Sequence, residues 1–426
     1  MSGIKKTEPH AISIVQRGNL KILEQALRKQ WRLGQNIVLC WSADERGLLV
    51  LFVPHYFPGN YCAVEMKRAS DGVGNEAFFR DLVSGGRRKN RKELFAIAAR
   101  LDVSPTFIKL TTALAEEAAV LTEVEQLIKR YGISYVDSRA VLLFDISSFS
   151  LCTPFEQASQ LNSLSYSMNS AYNKLLAHGI EINFARTTTG DGYYVWNRDI
   201  GPASDRDLFC FMLLIVADNA VARAASKGNT TPIIKTAYHI GSHYELYQAE
   251  GINPTIFSYI VGDVTIELAR MIDLIDPLQL LIGDFQCEVL DESGKVETPA
   301  TTQTFVAACD RGSDSLTGVQ FSGKAISSVR CYLTSESGSD GKSVPRRLKI
   351  TDKHGLSRQA YNLQFEIEMG DETLALGFSG EQLLGCSSHA TPAGTAALEL
   401  ESRKPASAAD LIGDLSKRSL KASVED

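Results

Sequence analysis

Hydrophobic positions along the chain repeat with two periods, and the order of the resulting segments outlines an architecture. Leu20–Leu33 carries helical spacing. Ile37–Ser42 and Leu48–Val53 are β-like runs flanking an Ala-Asp-Glu-Arg-Gly turn, which predicts a hairpin. Leu114–Tyr131 is charged and Ala/Leu-rich, with Val120, Val124, Leu127 and Ile128 on one stripe. It predicts a helix that either pairs with its twin in a dimer or packs on its own chain. Ala140–Ile146 is continuously apolar, as a buried strand is. Thr153, Pro154 and Glu156 form a capping box with proline in the first turn. The helix they open keeps Phe155, Ala158, Leu161, Leu164, Met168, Tyr172 and Leu175 on one face and stops at Gly179.

Ile180–Thr188 and Tyr193–Asn197 then read as two strands about an Asp-Gly turn, the strongest short hairpin signal. Asp205–Ser226 is a second helix, Pro232–Gly241 a further strand, and 250–276 a strand-turn-helix. The order β-α-β-β-α-β predicts an α+β fold, a ferredoxin-like antiparallel palm sheet with helices on one face. Residues 1–110 read as a small mixed α/β unit of sensory or docking type, and 111–132 as a connecting helix. The palm unit is expected over 133–335 and a β-rich extension over 336–386. Residues 387–426 are rich in Ala, Ser and charge, which predicts disorder with a transient helix near 409–420.

Composition changes this picture little. A net charge of −6 gives no general reason to expect nucleic acid as a partner. Eight scattered cysteines without a CxxC pair favour reduced thiols, and Cys40, Cys152 and Cys210 sit among apolar neighbours as buried thiols do. Residues 1–18 lack the apolar core of a signal peptide, and the longest apolar run, Leu208–Ala217, is shorter than a bilayer span. A cytoplasmic protein without a membrane span is expected. One local exception is basic: Arg87, Arg88, Lys89, Arg91 and Lys92 fill five of six positions, followed by a helix-turn-helix rhythm through Leu114. The segment reads as a solvated loop entering an amphipathic helix, or as a DNA-reading module. Thr106–Leu114 offers mainly threonine and one lysine to base edges, so DNA is the lesser alternative.

Two aspartates carry the candidate chemistry. Asp145 ends an apolar strand, where an unpartnered carboxylate would be costly. Asp191 tips the hairpin whose second strand neighbours that strand in this topology, so carboxylates 46 positions apart (191 − 145) can converge. Paired acids at a sheet edge suit Mg²⁺ or Mn²⁺, which take their remaining oxygens from phosphate and water.

FDISSFS at 144–150, TTTGDGYYVW at 187–196, VGDVTIELARM at 261–271 and DPLQLLIG at 276–283 together resemble the catalytic domain of class III nucleotidyl cyclases. The resemblance covers roughly 135–282, with a last strand in 321–333. It implies a palm-like sheet and a homodimer with head-to-tail active sites. The implied reaction is attack of a nucleoside triphosphate's 3′-hydroxyl on its own α-phosphate, with release of pyrophosphate. Asp145 and Asp191 would bind two metal ions, with the Ile146 carbonyl as a further ligand. Ser147, Ser148 and Phe149 would lie beneath the triphosphate, and Arg270 would stabilise charge on the α-phosphate.

The departures are equally specific. The family asparagine four residues before that arginine is Ile266, which cannot donate to a ribose. The purine-reading positions are Thr187 and Tyr259. The phosphate-binding lysine falls near Ser322, with Lys324 as substitute. The resemblance therefore implies cyclic AMP formation, with two alternatives: a pyrimidine cyclase, or a weakly active, cyclase-like nucleotide-binding regulator. His239 reads as structural, and His354 as a loop residue.

Overall fold

The computed structural model describes residues 12–378, apart from 67–71, 250–255, 292, 322, 338–342 and 352–354. The expected tail at 387–426 and His354 lie outside the described residues. The first unit opens with α1 (Ile14–Trp31), capped by the Ser13 side chain, which accepts from Gln16 N. The expected hairpin follows as β1 (Asn36–Asp44) and β2 (Gly47–Pro54), antiparallel from Asn36↔Pro54 to Asp44↔Gly47. Three helices come next, α2 (Phe57–Met66), α3 (Gly72–Val83) and α4 (Arg91–Leu101). Helix α4 ends at Asp102 in the left-handed conformation.

The second helix of the helix-turn-helix reading does not form. Thr106–Lys109 is a strand, β3, that pairs with β2. Pro105 disfavours helical backbone at Ser104, and Thr106, Phe107 and Ile108 suit the free edge of β2. Helix α5 (Ala118–Arg130) turns Val120, Val124, Leu127 and Ile128 into a core with Leu23, Leu27, Val38 and Val50. The stripe is spent on its own chain, and α5 belongs to the first unit's core rather than standing free as a connector.

The second unit begins with β4 (Ile133–Ile146), α6 (Pro154–Ala177), β5 (Phe184–Thr188), β6 (Gly192–Asn197), α7 (Pro202–Ala225) and β7 (Ile234–Ala249), the predicted order. It continues through β8 (Ile256–Val261), α8 (Asp263–Ile272), β9 (Leu280–Gly283), β10 (Gln286–Leu290), β11 (Val296–Thr301) and α9 (Thr302–Gly312). Short strands β12 (Gln320–Phe321) and β13 (Lys324–Ala325) precede β14 (Ser328–Leu333), β15 (Ser335–Ser337) and β16 (Ser343–Pro345). The described chain closes with β17 (Arg347–Thr351), β18 (Ser357–Met369) and β19 (Glu372–Leu376).

The main sheet runs β14-β18-β9-β7-β4-β6-β5, and its β7-β4-β6-β5 part is the ferredoxin-like palm. Three expectations need correction. The sheet is mixed, because β9 runs parallel to β7. Helices cover both faces: α6 and α7 bury one, while α8 packs Val264, Leu268 and Met271 against Val141, Leu143 and Trp196 on the other. The region 336–386 is no appendage, because β18 sits between β9 and β14 and buries Leu363, Phe365 and Ile367 in the main core. Gly/Ser-rich composition marked a boundary there, but a 13-residue strand with apolar residues on one face closes the gap. Helix α7 is long and apolar enough to cross a membrane, yet all of Leu208–Ala217 lies inside this core.

Arg87 of the basic segment joins the two units, while Arg88, Arg91 and Lys92 stay exposed. The Arg87 side chain is fully buried and donates to Val38 O (2.8 Å), Leu39 O (3.2 Å), Ser134 Oγ (3.2 Å) and Ile133 O. Glu125 accepts from the amides of Arg87 and Arg88 and from Trp41 Nε1 (2.8 Å). Arg88 pairs with Glu116 at 2.6 Å and Arg91 with Asp44 at 2.7 Å. Three of the five basic residues that suggested a DNA partner are thus engaged within the chain.

Candidate active site

Alternation along β4 decides where its last carboxylate goes. Ala140, Leu142, Phe144 and Ile146 enter the α6/α7 core, while Val141 and Leu143 enter the α8 side. Asp145 continues the second series, at the strand's end on the α8 face. Its neighbour on β6 is Gly192, and the connection is closed by Ile146 N donating to Asp191 O at 2.9 Å. Asp191 therefore stands beside Asp145, as the topology predicted.

The two glycines around Asp191 have different tasks. Gly190, at φ +106°, makes the turn, in which Thr189 N donates to Gly192 O (3.0 Å) and Thr189 Oγ1 to Asp191 Oδ1 (3.2 Å). Gly192 allows the strands to close: a Cβ there would lie 1.8 Å from Phe144 O. The turn glycine is thus the one before the aspartate, not the one after it.

Burial pushes the Asp145 carboxyl up to about 6, and the neighbouring Asp191 and Asp273 carboxylates push the same way. Lys235, directly opposite Asp145 on β7, opposes the shift. Lys235 and Asp273 were not singled out from the sequence. Lys235 was legible in principle, since the β4–β7 pairing and alternation put it on Asp145's face, but the register was needed to see it.

The loop after β4 offers fewer amides than expected. Ser147 N is already committed to Ile233 O at 2.8 Å. Ser148 is left-handed at φ 57° and leads into a single 3₁₀ turn, so the amides of Ser148 and Phe149 remain without hydrogen bonds among the described residues. Such consecutive amides form an anion-binding concavity. The buried Oγ of Ser147 also lacks a partner among the described residues. Two carboxylates, main-chain carbonyls and this hydroxyl are all hard oxygen donors, which fit Mg²⁺ or Mn²⁺ and not a soft metal. Among the described residues no cluster of three or more His, Cys, Asp or Glu side chains forms a metal site, so any ion at the pair would need oxygens from substrate or water.

The remaining predicted residues divide between those near the pair and those away from it. Arg270 lies on α8, 4.0 Å from Asp273. Ile266 is 47% exposed on the same helix. Thr187 faces Tyr194 across the β5–β6 pair, and the Tyr194 hydroxyl donates to Thr265 O at 3.1 Å. Tyr259 lies opposite Leu246, which pairs with Ile133, twelve residues (145 − 133) back along β4 from Asp145. Lys324 pairs with Glu372 at 2.5 Å. It follows Phe321, whose ring lies 4.9 Å from Lys174 Nζ near the end of α6, while the carboxylates lie near that 24-residue helix's start. Tyr259 and Lys324 are therefore not gathered at Asp145 in the same chain.

No protein-family model and no curated protein matches the chain. Solved structures similar to part of it are cyclase domains. One is the guanylate cyclase domain of RhGC from Catenaria anguillulae in complex with GTP, 14% identical, covering 54% of this chain and 97% of that one at a TM-score of 0.33. Another is the adenylyl cyclase CyaB from P. aeruginosa, 11% identical over 54% and 95% at 0.32. A third is the guanylyl cyclase Cya2, 12% identical over 54% and 92% at 0.31. Similarity at this level bears on neither substrate nor activity.

Two smaller expectations also meet the structure. His239 packs edge-on to Phe285 at 5.6 Å, and burial holds its imidazole neutral, down at about 4, in keeping with a structural role. Cys40 and Cys210 are buried, with thiols raised to about 12 by burial. Cys152 is only partly buried, because it follows the exposed turn after Ser148.

Proposed function

We propose that this chain is a nucleotidyl cyclase, a phosphorus–oxygen lyase that converts a nucleoside triphosphate to its 3′,5′-cyclic nucleotide and pyrophosphate. The observation that carries the proposal is the pair of carboxylates on neighbouring strand ends, where burial and the adjacent Asp191 push the Asp145 carboxyl up to about 6. A site that strains one of its own acids in this way is built for a cation. Asp145, Asp191 and the Ile146 carbonyl would hold two divalent ions, Mg²⁺ or Mn²⁺. When bound, these ions lower the pKa of the attacking hydroxyl and neutralise the triphosphate.

The chain's own groups do the positioning. The free amides of Ser148 and Phe149 face the phosphates, and Lys235 adds a positive charge beside Asp145. Arg270 lies on the same sheet face, paired with Asp273; the motif resemblance would assign it to the site of a second copy in a head-to-tail homodimer. There it would stabilise charge on the α-phosphate. Thr187 and Tyr259 of that copy are the residues nearest the base.

Adenine is the base favoured by the motif resemblance. Thr187 and Tyr259 also suit a pyrimidine, since neither supplies a purine-reading charge. Incubation with each of the four ribonucleoside triphosphates and Mg²⁺ or Mn²⁺, read by mass spectrometry, tests activity and base together. One cyclic product, lost in Asp145→Ala and Asp191→Ala, is expected. A second reading follows from Ile266, half exposed where a ribose donor is needed: a nucleotide-binding regulator, for which triphosphate would bind without turning over.

A further inference from the structure

A cleft of about 630 Å³ lies between the two units, away from the carboxylate pair, with walls from α5, β4, β7 and the β5–β6 end. We propose that it is a second ligand site, for a phosphorylated molecule of about mononucleotide size, that bridges the N-terminal unit and the palm sheet. Its volume lies within the usual range for small-molecule sites, roughly 300–1,000 Å³.

The charge inventory points to an anion. Lys129 and Arg130 come from α5 in the first unit, and Arg139 and Arg198 from the palm. Glu245 is spent on Arg139 at 3.2 Å and also accepts from the Tyr247 hydroxyl. Asp199 is the one other carboxylate on the lining. Arg198 makes no ion pair among the described residues and donates only to Asn183 Oδ1 (3.4 Å) and Phe184 O (3.2 Å). Lys129 likewise makes none there, whereas Arg130 pairs with Glu24 at 3.8 Å. Lys129 and Arg198, neither in an ion pair among the described residues, thus face one uncommitted carboxylate.

The floor is prepared as well as charged. Arg139 is 2% exposed, fixed by Glu245, by His243 Nε2 at 3.3 Å and by Arg198 O at 3.0 Å. Its Nε has no hydrogen-bond partner among the described residues. A buried guanidinium N–H left unpaired is costly. A phosphate monoester, with nearly two negative charges and three acceptor oxygens, matches several converging cations better than a single carboxylate does. The Tyr247 ring gives the rest of the molecule an apolar wall. Because Lys129 and Arg198 belong to different units, occupancy would tie those units together.

The test uses the full-length chain carrying Asp145→Asn and Asp191→Asn, without divalent cations, so binding is read with the proposed catalytic carboxylates neutralised. Calorimetric titration with inorganic pyrophosphate and with adenosine 5′-monophosphate should give saturable binding of at least one probe, one per chain. Adding Lys129→Ala and Arg198→Ala should weaken it at least about tenfold, the loss expected for a charge-assisted contact. Both side chains reach the surface, so the thermal midpoint should hold. Tighter binding of the monophosphate supports a nucleotide, and binding of pyrophosphate alone supports a site for the phosphate group. Failure of both probes to saturate, or affinity unchanged by the two alanines, overturns the proposal.

Discussion

Replacing Asp145 by asparagine should make the metal-free protein more stable while silencing it. The Asp145 carboxyl is raised from 3.8 to about 6, so the folded state holds its proton more tightly than the unfolded chain. A shift of that size corresponds to roughly 3 kcal/mol at about 1.36 kcal/mol per unit. Partial exposure screens it, leaving about 1–2 kcal/mol. The sign follows from linkage: the stability is present below about pH 4 and is lost as pH rises through about 6, so ionised Asp145 opposes folding at neutral pH. Asparagine keeps the shape and removes the charge.

Thermal melting in chelator should therefore place Asp145→Asn a few degrees above the parent at pH 7.5, with the gap shrinking between about pH 6 and 4. Mn²⁺ should raise the parent's midpoint and leave the variant's unchanged. A variant that melts at or below the parent at pH 7.5, or a gap that ignores pH, would refute the reasoning.

Three other substitutions probe separate parts of the account. Ile266→Asn, on a half-exposed helical site, should cost less than about 1 kcal/mol and raise cyclase turnover by up to about 10²-fold, measured as initial rates. Gly192→Ala would put a methyl on Phe144 O; it should lower the urea midpoint by about 1–3 kcal/mol equivalent and abolish Mn²⁺-dependent stabilisation. Arg87→Met leaves the Val38, Leu39 and Ile133 carbonyls without their buried donor, and should cost about 3 kcal/mol or more in chemical denaturation.

The local pattern carried the palm because its strands are marked by apolar runs and an Asp-Gly turn, and α6 by a capping box with proline in its first turn. Asp145 and Asp191 could be brought together on paper, since strand order alone makes β4 and β6 neighbours. Parts that depend on distant pairing were not legible in the same way. Thr106–Lys109 became a strand because β2 offered an edge, and β18 entered the sheet from beyond a Gly/Ser-rich stretch. Arg87 looked like one basic residue among five, and only the fold supplied the carbonyls that bury it. Lys235 entered the site through cross-strand register, and the cleft beneath α5 through the docking of two units. Neither leaves a motif.

The central claim is that one copy's carboxylates and a second copy's arginine make one cyclase site. The most direct test mixes two inactive full-length proteins, Asp145→Ala and Arg270→Ala, after confirming that each is folded, and measures cyclic nucleotide from the triphosphate the parent uses. Random exchange makes half the dimers mixed, each with one intact site of two, so the mixture should recover about a quarter of the parent's rate. A mixture as silent as its parts beside an active parent, or an Asp145→Ala protein that turns over like the parent, would contradict it.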